Sequence, residues 1–165
     1  GDQDQIAELA GPLGRAAAHL AREHWPGPLT LVVPRAKGFG PDLGGPPSAG
    51  RTVGVRWPDH SLIASLCRQV GPLAVTSANL HGAPPATTAA QLIEAFGGAG
   101  GLDAVLDGGI CDGVPSTVIE CRGASARCLR EGALPWVELA GVAVGVVAEG
   151  TGPGGIRWES GPGRG

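Results

Sequence analysis

Apolar runs in this chain are short, and each stops abruptly. Leu29–Val33 is closed by Pro34, Thr52–Arg56 ends before Trp57-Pro58, and Leu73–Val75 runs into Thr76 and Ser77. Runs of this length between turn residues read as strands. Segments with helical spacing lie between them. Gln5–His24 carries Ile6, Leu9 and Ala10 on one face and Leu13, Ala17 and Leu20 on another, with Gly11-Pro12 as a break. After Asp59, a capping residue, Leu62, Ile63, Leu66 and Val70 share a face that Gly71 ends. Thr88-Ala-Ala-Gln91 has the pattern of a capping box opening a helix through Leu92, Ile93 and Phe96. Further strands are expected at Ala104–Leu106, Thr117–Ile119 and Ala126–Leu129, and a last one at Val142–Val147. Short strands alternating with helices mean an α/β layer structure.

A length of 165 residues is that of one domain able to bury a core. That domain is expected over residues 1–140. Residues 141–165 read as a Gly/Pro-rich extension with too little apolar surface to offset its ordering entropy, so disorder is expected there. Residues 35–50 are also rich in Gly and Pro and form a long loop. The chain has no Met and begins at Gly1, so it reads as a processed or truncated piece. A net charge of −3 supplies no global basic field for nucleic acid. No run approaches membrane-spanning length and no secretory signal is visible, so no membrane partner is expected. Cys67, Cys111, Cys121 and Cys128 form no C-x-x-C pair and no zinc-finger spacing with His. A reduced, cytoplasmic setting is the simplest reading.

Chemistry-bearing residues gather at strand ends. In open α/β sheets, ligands bind outside the carboxyl ends of strands. Thr76, Ser77 and Asn79 place two hydroxyls and an amide directly after one such run. They suit a small polar ligand, but taken alone an Asx or ST turn is the favoured reading. Arg56 ends Thr52–Arg56, where Gly54 allows close approach to the backbone. Its guanidinium suits a carboxylate or phosphate, or a surface ion pair with Asp59. Ser116-Thr117 and Asp107-Gly-Gly109 have the same double reading, with a plain turn favoured for the latter. No nucleophile elbow, metalloprotease helix, P-loop or spaced carboxylate pair is present. His24, His60 and His81 are scattered. Hydroxyls, an amide and arginines suit the binding of a nucleotide and a small zwitterion, with catalysis by positioning and charge neutralisation.

The segments Trp25-Pro-Gly-Pro-Leu-Thr-Leu-Val-Val33, Val53-Gly-Val-Arg-Trp-Pro-Asp59, Thr76-Ser-Ala-Asn-Leu80 with Gly82, Asp107-Gly-Gly109, and Pro115-Ser-Thr-Val118 followed by Leu129-Arg-Glu-Gly132 occur in that order. Each is weak alone; the ordered series is specific. It resembles the YrdC family of threonylcarbamoyl-AMP synthases over about Ile6–Leu139. The resemblance implies a twisted open mixed sheet with flanking helices, of the YrdC/RibB-like kind. It implies a reaction of L-threonine, bicarbonate and ATP, with Mg2+ expected on the triphosphate, giving threonylcarbamoyl-AMP and pyrophosphate for tRNA modification by downstream proteins. It implies threonine contacts at Arg56, Ser77 and Ser116. It implies ATP contacts at Thr52, Arg130, the backbone of Val75 and Pro85, and a loop-shaping role for Asn79. No protein nucleophile and no protein metal ligand is named by it.

Family members open with a Thr-Asp-Thr-x-Tyr-Gly-Leu strand end and a Lys-x-Arg-Pro stretch, and neither is in this sequence. The expectation is a synthase domain lacking its N-terminal strands and part of its site, inactive or nearly so alone. Competing readings are an RNA-binding module for tRNA or double-stranded RNA, and a carbamoyl-transfer domain of the hydrogenase-maturation kind. The acidic balance speaks against the first, and the lack of acylphosphatase and zinc-finger segments against the second.

Overall fold

The computed structural model describes residues 3–40, 43, 51–97 and 102–142. The chain divides into two compact units: the residues up to Pro72 together with those from Pro115, and Leu73–Val114.

The first unit is built on a four-stranded mixed sheet. Its strands are β1 (Leu29–Pro34), β2 (Thr52–Arg56), β3 (Thr117–Arg122) and β4 (Ser125–Arg130), in the spatial order β2-β1-β3-β4. β1 pairs antiparallel with β2 and parallel with β3, and β3 pairs antiparallel with β4. Alternation along each strand sorts the side chains onto two faces. Leu29, Leu31, Val33, Val53, Val55, Thr117, Ile119, Cys121 and Ala126 are buried on one face. Helices α1 (Gln3–Leu9) and α2 (Arg15–His24) supply Ile6, Ala16, Ala17 and Leu20 to the same core. Each fully buried Leu or Ile contributes about 1.5–3 kcal/mol by its removal from water. The break expected at Gly11-Pro12 is where α1 and α2 part.

α2 begins without a side-chain cap at Gly14. The Ala16 amide instead donates to the Gly123 carbonyl of the β3–β4 turn, at 3.1 Å. A Cβ on Gly14 would lie 2.6 Å from that oxygen, so only glycine allows this contact.

α3 (Ser61–Val70) ends as expected at Gly71, with φ +87. Its start differs. His60, not Asp59, is the N-cap, and no side chain caps it. Its apolar face is incompletely covered: Cys67 is buried, whereas Val70 is 61 % exposed. A helix without a counterpart in the sequence expectations, α5 (Trp136–Val142), follows Pro135 and buries Leu139 completely.

The second unit holds α4 (Ala89–Phe96), where the Thr88 hydroxyl accepts from the Gln91 amide at 3.2 Å. Gln91 reaches back to the Thr87 amide at 2.9 Å, one residue earlier than an ideal capping box. The strands expected at Leu73–Val75 and Ala104–Leu106 are not formed. A strand exists by its ladder, and among the described residues neither run has a neighbouring edge to pair with. Val75 is 86 % and Leu106 is 59 % exposed accordingly. The expected strand over 142–147 has its first residue in α5; the others, and the extension beyond them, lie outside the described residues. Most of the expected 35–50 loop also lies outside them. Among the described residues no helix is long and apolar enough to cross a membrane.

Candidate substrate site

The face of the sheet opposite the core carries the polar residues. The register places Arg56, Thr30, Val118 and Arg130 in one row across all four strands. Spacings of about 4.8 Å between strands put the Arg56 and Arg130 backbones roughly 14 Å apart. Arg130 reaches this row through a β-bulge. Ile119 pairs with Cys128 but Val118 pairs with Arg130, so Leu129 is an extra residue on β4. Were Leu129 paired regularly, it would stand opposite Val118 and Arg130 would turn to the other face.

Ser116 precedes β3 on this face and is 8 % exposed. Its hydroxyl lies 2.7 Å from that of Thr30. Arg130 Nη2 donates to the Ser116 carbonyl at 2.9 Å and approaches its hydroxyl at 3.5 Å. Thr117, its neighbour, is fully buried and points the other way. The Thr117 hydroxyl donates to the Leu134 carbonyl at 2.6 Å and accepts from the Gly132 and Leu134 amides at 3.0 Å each. A Cβ on Gly132 would lie within 2.7 Å of the Ser116 carbonyl oxygen, so glycine lets this chain crossing sit against Ser116. The paired hydroxyls that looked equivalent in sequence thus separate into a structural Thr117 and an outward Ser116.

Arg56 Nε donates to the Gly27 carbonyl at 3.1 Å. Partial burial lowers its pKa, from so high a starting value that the guanidinium remains charged at neutral pH. The ion pair with Asp59 raised by the sequence is not formed. Among the described residues no carboxylate pairs with Arg56 or Arg130. Glu120, one pleat further along the same face, pairs instead with Arg122 at 2.7 Å and Arg127 at 2.8 Å. Those two arginines, Arg122 foremost, hold its carboxyl below the usual range. Thr52 begins β2 on the same face, and its carbonyl accepts from Arg35 Nε at 2.7 Å. Burial, and Glu120 beside it, push the Cys121 thiol up to about 12, so it stays protonated at neutral pH and is no nucleophile.

The structure therefore brings Arg56, Ser116, Arg130 and Thr52 onto one sheet face. Val75, Ser77, Asn79 and Pro85 belong to the second unit. There the Asn79 amide nitrogen donates to the Leu80 and Ala83 carbonyls at 3.0 Å each, and its backbone amide donates to the Ser77 carbonyl at 3.0 Å. Asn79 Oδ1 is buried and without a partner in the structure. Asn79, Pro85 and Gln91 line a cavity of about 370 Å³ within this unit. Asp107 Oδ1 accepts from the Gly109 amide at 2.9 Å, a plain Asx turn as favoured for that segment. Thr30 was not picked out by sequence. Its only signal was a hydroxyl in an otherwise apolar run, at the second residue of the strand.

Among the described residues, two guanidinium groups without carboxylate partners thus flank a hydroxyl couple on one sheet face, a chemistry suited to small anions. The Sua5/YciO/YrdC family, described as "Telomere recombination", matches residues 1–132, and the chain belongs to that family. It is 37% identical over 137 residues to a threonylcarbamoyl-AMP synthase of Bacillus subtilis, covering 81% of this chain and 38% of that protein. It is 36% identical to a putative threonylcarbamoyl-AMP synthase of Mycobacterium tuberculosis, covering 86% of this chain and 64% of that protein. The crystal structure of Pyrococcus abyssi Sua5 complexed with L-threonine superposes with a TM-score of 0.75 at 33% identity, covering 90% of this chain and 43% of that one. Escherichia coli YciO, at 21% identity and a TM-score of 0.66, shares the fold. The chain thus spans less than two thirds of the length of these relatives.

Proposed function

We propose that this chain carries threonine- and ATP-binding parts of a threonylcarbamoyl-AMP synthase. The observation that carries the reading is the row in which Arg56 and Arg130, both without carboxylate partners among the described residues, flank Thr30 and Ser116. The relative solved with L-threonine supports it. The amine nitrogen of threonine bonds to the bicarbonate carbon and a water molecule leaves, giving a carbamate. A carbamate oxygen then attacks the α-phosphorus of ATP, the bond to the β-phosphate oxygen breaks, and pyrophosphate leaves. Two anions must be held together, so charge neutralisation and alignment supply the catalysis, with no protein nucleophile. Mg2+ arrives with the triphosphate.

In this reading Arg56 grips the threonine carboxylate, and Ser116 and Ser77 bind threonine through their hydroxyls. Arg130, Thr52, the Val75 backbone and Pro85 serve ATP, and Asn79 shapes its loop through the two carbonyls it holds. The product passes to proteins that modify tRNA, in the cytoplasm. The named synthase relatives favour this over an RNA-binding module or a carbamoyl-transfer domain. The Thr-Asp-Thr and Lys-x-Arg-Pro motifs are not among these 165 residues, so little turnover is expected of this stretch by itself.

Two measurements test the reading. L-threonine is expected to bind saturably by titration calorimetry, and Arg56→Ala to weaken it. Pyrophosphate release dependent on threonine and bicarbonate is expected to be slow or absent. Robust release by these 165 residues would overturn the partial-site reading; absence of saturable threonine binding would overturn the assignment itself.

A further inference from the structure

Thr30 stands inside the row, between Arg56 and Val118. Its Oγ1 lies 2.7 Å from Ser116 Oγ. Its Cγ2 faces the other way, 3.6 Å from where a Cβ on Gly54 would sit. A β-branched side chain with its methyl over β2 and its hydroxyl toward β3 has one rotamer fixed by its neighbours. Two hydroxyls carry two protons. One is used in the bond between them, so the couple has a single proton left to offer a ligand. Arg130, which can only donate, stands on the far side of Ser116 at 3.5 Å from its hydroxyl. That charge favours the arrangement in which Ser116 turns its oxygen toward the guanidinium and Thr30 donates to it. The remaining proton then belongs to Ser116 and points away from both.

We propose that Thr30 is a positioning residue for the amino-acid substrate: it locks the Ser116 hydroxyl in one rotamer and makes it a donor to an acceptor oxygen of that substrate. The inference rests on the threonine reading of the site. It explains why a polar side chain is kept in the otherwise apolar Leu29–Val33 run, where valine would give equal strand propensity and better packing.

The test is a set of L-threonine and ATP titrations on the full chain. Thr30→Val deletes the hydroxyl and keeps the branch; Thr30→Ala deletes it without any steric risk; Thr30→Ser keeps it. Loss of one neutral hydrogen bond predicts threonine affinity roughly 3- to 10-fold weaker in Thr30→Val and Thr30→Ala. Thr30→Ser is expected to stay within about twofold of the parent, and ATP affinity to stay within about twofold in all three. On a Ser116→Ala background, Thr30→Val is expected to cost little more. Equal loss of both ligands, failure of Thr30→Ser to restore binding, or independent multiplication of the two changes would each overturn the proposal while leaving the threonine assignment standing. Absence of threonine binding by the parent overturns both.

Discussion

At the scale of single residues, the site is a matter of which face each side chain takes. Gly54 shows this. It lies on the open face at ordinary strand geometry, and an added Cβ would meet only the Thr30 methyl, at 3.6 Å, an ordinary contact. Gly54→Ala should therefore leave the melting temperature equal or slightly higher, since a strand glycine costs about 0.5–1 kcal/mol relative to alanine. It should weaken threonine binding, because the methyl occupies the space beside Arg56. Thermal unfolding and calorimetry on the same sample check both halves; a large loss of stability with intact binding would contradict the assignment of that face. Arg56 and Ser116 were legible in sequence because they stand at ends of apolar runs. Thr30 was not, because the bond that gives it meaning joins residues 86 positions apart. The separate duties of Ser116 and Thr117 were equally hidden, since adjacent hydroxyls become distinct only when the pleat of β3 sends them to opposite faces.

At the scale of elements, the Leu129 bulge is the device that places a cation. It brings Arg130 opposite Val118, where it reaches the Ser116 carbonyl at 2.9 Å. Deleting Leu129 should restore a regular ladder in which Arg130 follows Cys128 directly and still stands opposite Val118, so ATP affinity should stay near the parent's while Arg130→Ala loses it. Parallel ATP titrations decide this; a loss in the deletion as large as that in Arg130→Ala would contradict it. A bulge leaves almost no mark in a single sequence, and none was expected here. The helices were more readable. Gly11-Pro12, Gly71 and Thr88-Ala-Ala-Gln91 punctuate them with residues whose local chemistry is strong. α5 escaped notice because it is short and commits only Leu139 to full burial, with Pro135 as its main signal. The runs at Leu73–Val75 and Ala104–Leu106 failed in the opposite sense. β-prone residues advertise a strand, but the ladder needs a partner edge that composition does not reveal.

At the scale of the whole molecule, charge is divided unevenly over the open face. Glu120 absorbs Arg122 and Arg127, while Arg56 and Arg130 keep their charge available. The Glu120 carboxyl is held below its ordinary value of 4.5 by Arg122 first and then Arg127, against the opposing effect of burial. A carboxyl depressed on folding stabilises the folded state above its unfolded value and loses that contribution as pH falls through the lowered one. Glu120→Gln should thus be less stable than the parent at neutral pH, with the gap closing below about pH 4.5; a gap independent of pH would contradict the ion-pair account. The four strands of the sheet lie on expected apolar runs, while the mixed sheet was implied by the family resemblance. Its order, β2-β1-β3-β4, joins distant segments, and only the structure shows that Arg56 and Arg130 share one row.

The central claim, that this row divides threonine from ATP between its two ends, is tested most directly by titrating both ligands into the parent, Arg56→Ala and Arg130→Ala. Loss of a charge-assisted contact predicts at least about tenfold weaker threonine binding in Arg56→Ala with ATP little changed, and the reverse in Arg130→Ala. Equal effects of both substitutions on both ligands, or no effect of either, would contradict it.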